Sequence, residues 1–186
     1  MRKHGLKLAF LAVVLIMATL LTQQTLAYYT AYGKATNVVT SGDIALEIYE
    51  KTADGGEFPS EGVTVIPGDV VSKIVTVGNT CQHPFYLRVK LVNSSSSANL
   101  LPEDCLKLDL NTTDWTVGQD GFIYYNQPLK PGQITQPLFT QVEVIGAAVG
   151  REDIGSTLAL TVKAYAVQSE HNSVLHPWDA AGWPAE

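Results

Sequence analysis

The sequence is poor in the residues and spacings that most enzyme chemistry uses. Its 186 residues include two cysteines, Cys81 and Cys105, and four histidines. It contains no C-x-x-C pair, no H-E-x-x-H run, no Gly-rich phosphate loop and no G-x-S-x-G elbow. These absences exclude the zinc, nucleotide and serine-hydrolase sites that such spacings announce. Basic residues are also few, twelve Lys and Arg against eighteen Asp and Glu, for a net charge of −6. An acidic chain repels nucleic acid and anionic lipid, so neither is an expected partner. No segment sustains a helical period, and only one long apolar run occurs.

That run is at the start. Arg2, Lys3 and Lys7 precede Leu8 to Leu21, fourteen residues without a charge, and the small-residue ending Thr25-Leu26-Ala27 follows. The three parts form a secretory signal peptide over 1–27, with cleavage expected between Ala27 and Tyr28. A permanent span needs about 20 apolar residues, so membrane contact is expected only during export. The expected location is outside the cell, secreted or at its surface. Removing 1–27 takes away three basic residues and no acidic ones, which leaves nine positive against eighteen negative charges. The remaining length is that of one domain and is enough to bury a core.

What the rest has in abundance is period two. Ile44, Leu46 and Ile48 share one face of a strand over Asp43–Tyr49, and Phe85, Leu87, Val89 and Leu91 share a face of Phe85–Val92. Leu158, Leu160, Val162, Ala164 and Ala166 do the same over Ser156–Gln168. Further strands are expected at Val63–Ile66, Val70–Val77, Leu106–Leu110, Phe122–Tyr125 and Leu138–Ile145. Between them stand turn residues, Asp54-Gly55-Gly56, Pro67-Gly68-Asp69, Asp120-Gly121 and Pro131-Gly132. About eight short strands at this spacing predict an all-β fold, an antiparallel β-sandwich of jelly-roll type over 41–168. Residues 28–40 form a strand-like arm before it, and 169–186 a C-terminal tail.

Candidates for chemistry are sparse. Cys81 and Cys105 are a candidate disulfide, which export permits and which would contribute about 3 kcal/mol; the alternative is a pair of free thiols. His171 and His176 lie near Glu170 and Asp179, but Pro177 opposes a metal-binding helix there, and solvated tail histidines are the ordinary reading. No metal, no cofactor and no catalytic residue is expected. Trp115, Tyr124, Tyr125, Trp178 and Trp183 offer rings that sugars stack on, although aromatics in a sandwich more often pack in its core.

Four segments carry a family likeness: "TLAYYTAYGKATNVVTSGDIALEI", "VIPGDVVSKIVTVGNTCQHPFYLRVKL", "GFIYYNQPLKPGQITQPLFTQVEV" and "LTVKAYAVQSEHN". Their order resembles the TasA, CalY and camelysin family of exported bacterial proteins, processed by a SipW-type signal peptidase. The chain is shorter than the large fibre-forming members, lacks their insertions, and has a cysteine pair not associated with them. The resemblance implies a jelly-roll subunit or accessory of cell-surface or biofilm-matrix fibres. Its partners would be further copies of itself, added head to tail, or related matrix subunits. It implies that the arm, with Tyr29, Ala31, Gly33, Ala35 and Val39 on one face, completes a neighbour's sheet. An edge strand of the arm's own domain is the other reading. Two other functions stay open: a secreted camelysin-like metalloprotease, for which no ligand motif is present, and a carbohydrate-binding module.

Overall fold

The computed structural model describes residues 29–37, 44–60, 62–95, 102–145 and 157–184. Its strands are β1 (Tyr29–Asn37), β2 (Leu46–Lys51), β3 (Val63–Val65), β4 (Val70–Ser72), β5 (Ile74–Asn79), β6 (Phe85–Asn93), β7 (Leu106–Leu108), β8 (Trp115–Val117), β9 (Ile123–Tyr125), β10 (Gln141–Val144) and β11 (Thr157–Gln168). The fold is all-β. Among the described residues the helical pieces are one turn at Pro102–Cys105 and a 3-10 turn at Pro177–Asp179. No described helix is long and apolar enough to cross a membrane.

One sheet has six strands in the order β3-β1-β11-β6-β9-β8. Its spine is the long antiparallel pair β6 and β11, in register from Phe85 opposite Gln168 to Asn93 opposite Leu160. The other strands form β2-β5 and β4-β10-β7. Backbone hydrogen bonds link these two sets, from Val75 N–H to the Phe139 carbonyl (3.1 Å), from Leu138 to Val75 (2.8 Å) and from Thr135 to Val77 (2.9 Å). One ladder therefore runs along 70–79 and 133–144. The turn that opens it puts Gly68 at φ 95, a conformation that a Cβ would oppose, and Asp69 accepts the Ile66 N–H at 2.8 Å.

The period-two pattern produces a core shared by all the sheets. Ile44, Leu46 and Ile48 are buried while Ala45 and Glu47 are exposed. Phe85, Leu87 and Val89 meet Val162, Ala164, Val75, Val77 and Phe139 in a single cluster. Each fully buried side chain of this size contributes roughly 1.5–3 kcal/mol by leaving water.

Four features differ from the sequence reading. The arm, for which an edge strand of its own domain is one reading, is instead the interior strand β1 between β3 and β11, and it pairs with β11 in parallel. The strand expected over Val70–Val77 breaks at Lys73, whose side chain turns inward to Glu50 at 3.0 Å and lies 4.8 Å from the Phe58 ring centroid. β8 is too short to show a period and was not expected. Finally, β6 is buried on both faces over Phe85–Val89, since Tyr86 and Arg88 are buried as well as their apolar neighbours. The C-terminal tail accounts for much of this, because it packs against the outer side of the six-stranded sheet.

Candidate functional site

Of the arm residues, Tyr29, Ala31, Gly33 and Ala35 lie in β1, while Ala27, Tyr28 and Val39 fall outside the described residues. β1 is an interior strand of its own sheet. On one side Ala31, Gly33 and Ala35 are in register with Leu158, Leu160 and Val162 of β11, and on the other Tyr29 and Ala31 are in register with Val65 and Val63 of β3. Val162 and Val65 belong to the core. The slot that β1 fills is thus bounded by one parallel and one antiparallel neighbour.

The two cysteines are buried and are not joined by a disulfide. Cys81 follows β5 in a turn held by the buried Asn79, whose amide donates to the His83 and Leu129 carbonyls (2.9 and 2.8 Å) and accepts the Cys81 N–H (2.9 Å). Cys105 lies at the other end of the ladder, where its carbonyl accepts the Ile145 N–H at 2.7 Å. Asn79 itself pairs with Gln133. At about 3.3 Å per residue, the ladder between Gln133 and Ile145 keeps the thiols far beyond the roughly 7 Å that a disulfide spans. Of the two readings that the sequence leaves open, a bridge or a pair of thiols, the structure has the pair of separate buried thiols.

The tail and the outer sheet face build a cluster of aromatic rings around Arg88. Arg88 projects from β6 with its guanidinium carbon 3.7 Å from the Phe122 ring centroid and 4.7 Å from that of Trp183, and its Nη2 donates to the Pro184 carbonyl at 2.9 Å. Phe122 meets Tyr165 edge-on at 5.5 Å, and Tyr124 meets Trp178 and Trp183 edge-on at 6.1 and 5.7 Å. Asn172 ties the tail to itself by exchanging hydrogen bonds with the Ala181 backbone (2.9 and 3.1 Å).

Asp120 stands at the edge of this cluster. Its carboxylate accepts the Tyr124 hydroxyl at 2.6 Å and the Phe122 N–H at 3.2 Å, and Arg88 Nη1 lies 3.9 Å away. Burial alone would raise its pKa; the Tyr124 hydroxyl, the backbone N–H groups and Arg88 outweigh it and hold the group below the usual carboxylate range. Burial, together with the bond to Asp120, pushes the Tyr124 hydroxyl up.

Beside Asp120 a half-open cleft of about 510 Å³ lies between the β8–β9 turn and the 3-10 turn of the tail. Thr116, Val117, Gly118, Gln119, Asp120, Tyr124 and Trp178 line it. Gly118 has to lack a side chain, because a Cβ there would stand 2.5 Å from the Asp120 carboxylate and 2.8 Å from the Tyr124 ring. Of the five aromatics that the sequence offers for stacking, Trp115 is buried and gives its indole N–H to the Gln136 carbonyl (3.2 Å), Tyr125 packs on Trp115, and Trp183 packs on the Arg88 cluster. Trp178 and Tyr124 alone among the five line the cleft.

The histidines part company. His83 pairs with Glu170 at 3.0 Å, and His176 stacks on Trp178 with centroids 4.5 Å apart. Among the described residues no three His, Cys, Asp or Glu side chains gather as metal ligands would. Sequence reasoning missed the roles of Arg88 and Asp120; Arg88 reads as one of two cations, with Lys90, on the polar face of its strand, and Asp120 as a turn residue before Gly121. Compared with known proteins, the chain matches no family model, no curated protein and no solved structure.

Proposed function

We propose that this chain is an exported structural protein, a subunit or accessory of cell-surface or biofilm-matrix fibres, and that β1 of one copy enters the sheet of the next. In this reading the sheets are the two layers of a jelly-roll sandwich, and a SipW-type peptidase removes residues 1–27. The partners are further copies or related matrix subunits, and no reaction is catalysed.

The observation that carries the proposal is the position of β1 between β11 and β3. A strand next to one end of a domain is joined to it by a single connection. A second copy of β1 can therefore take the same slot with the same register and the same backbone hydrogen bonds, so exchange changes the partner and little else. Ala31, Gly33 and Ala35 suit that use, because small residues enter a packed slot without having to repack it. Passed head to tail from copy to copy without closing on itself, such exchange makes filaments.

The test is a cross-link across the registered pair Thr36 and Lys163. The variant carrying Thr36→Cys and Lys163→Cys is assembled, oxidised and run on a denaturing gel. A ladder of covalent multimers is the expected result. Cross-linked monomer alone, in material that nevertheless forms filaments, would mean that β1 stays at home and the fibres grow by another contact. Absence of filaments under all conditions would remove the fibre reading itself.

A further inference from the structure

We propose that the cleft beside Asp120 binds a neutral sugar ring of a polysaccharide. The inference concerns a single folded chain and does not depend on assembly.

Three observations point to this class of ligand. The first is the aromatic wall. Trp178 is 40 % exposed, a large apolar residue facing water, and His176 stacked on it fixes the plane of the indole. Val117, on the neighbouring edge strand, is 59 % exposed and continues the apolar surface. The C–H face of a pyranose is an apolar patch of matching kind, whereas a charged or fully polar ligand leaves such a wall unused.

The second is the carboxylate. Asp120 is held by the Tyr124 hydroxyl and the Phe122 N–H, yet its side chain remains 46 % exposed. A carboxylate fixed in this way keeps lone pairs free for two adjacent hydroxyls and needs no reordering to receive them. The exposed Gln119 amide beside it can both donate and accept, as a hydroxyl can.

The third is charge. Arg88 lies 3.9 Å from Asp120 on the protein side and offsets its charge without lining the cleft. An anionic ligand would meet the carboxylate, and a cation would compete with a guanidinium already in place. A neutral polyol meets neither obstacle. The volume of about 510 Å³ falls within the range of small-ligand clefts, roughly 300–1,000 Å³.

The experiment is affinity electrophoresis of the monomeric protein through native gels containing, in turn, a soluble β-glucan, an α-glucan, a galactomannan and an acidic polysaccharide. Retardation by at least one neutral glycan is expected. Trp178→Ala and Gln119→Ala should each weaken it by about tenfold in Kd. Both residues lie at the rim, so circular dichroism and the melting temperature should match the parent; if Trp178→Ala melts early, Gln119→Ala carries the comparison. Retardation only by the acidic polysaccharide, equal retardation of parent and variants, or none by any glycan would each overturn the proposal. So would quenching of Trp fluorescence by choline chloride without quenching by a neutral oligosaccharide, which would mark a cation site.

Discussion

The guanidinium of Arg88 lies 3.7 Å from the centroid of the Phe122 ring, and the same side chain reaches the Pro184 carbonyl ninety-six residues away. One side chain of β6 thus fastens the tail to the sheet. It forms a stacked cation–π contact that is worth about 2 kcal/mol when desolvated, and a charged hydrogen bond worth about 1.5–3 kcal/mol.

Replacing Arg88 by Ala is expected to free the tail. The melting temperature should fall by roughly 5–10 °C, the tryptophan emission should move to the red as Trp183 meets water, and a protease should clip the chain after Gln168. A tail that stays protected would show that Trp183 and the Asn172 bonds hold it without Arg88.

Removing Tyr28 to Asn37 leaves β11 and β3 with bare edges where β1 pairs with them. The truncated chain should be markedly less stable, with an appetite for self-association. Adding a synthetic peptide of the deleted sequence should restore the melting temperature in a concentration-dependent way, as any ligand of the folded state does. No rescue at any peptide concentration would argue that β1 is not separable from the domain, and donor exchange would go with it.

Acid should weaken the fold through a few identifiable carboxylates. For Asp109, burial raises the pKa, but the Thr140 hydroxyl and the Gln141 and Thr140 N–H groups outweigh it and set it below its usual value; Asp120 is lowered as described above. A carboxylate depressed in the folded state contributes stability that is present above the unfolded value of about 3.9 and is lost as pH falls through the folded one. Melting temperature should therefore drop between about pH 5 and pH 2, and Asp109→Asn should flatten that limb while lowering stability at neutral pH. An unchanged acid limb in the variant would assign the loss to other groups.

The buried pair Lys73 and Glu50, 3.0 Å apart, should show strong coupling. Burial pushes the Lys73 ammonium down against the pull of Glu50. Glu50→Leu alone strands a buried cation and should cost about 3–5 kcal/mol, whereas Glu50→Leu with Lys73→Met should be near neutral or stabilising by about 1–4 kcal/mol. Denaturant unfolding of the parent, the two single variants and the double variant measures the cycle. Additive losses would mean that the pair does not act as a unit.

Much of the fold was legible in the sequence, element by element. Ile44, Leu46 and Ile48 could be assigned to one buried face because alternation is a property of the extended backbone itself, and the glycine turns could be read because few residues take a positive φ. The cleft was only half legible. Trp178 and Tyr124 were among five aromatic candidates, and nothing in the local pattern separated them from Trp115, which is core.

By itself the sequence determined that the chain is built of strands and, for β2, which face turns inward, because both follow from period two within a few residues. Which strand lies beside which was decided only in three dimensions: β1 meets β11 across most of the chain, Cys81 and Cys105 end at opposite ends of one ladder, and the tail returns to cover Arg88. The physical reason is that pairing and tail docking are chosen by total buried surface and satisfied hydrogen bonds between distant segments, quantities that no local window contains.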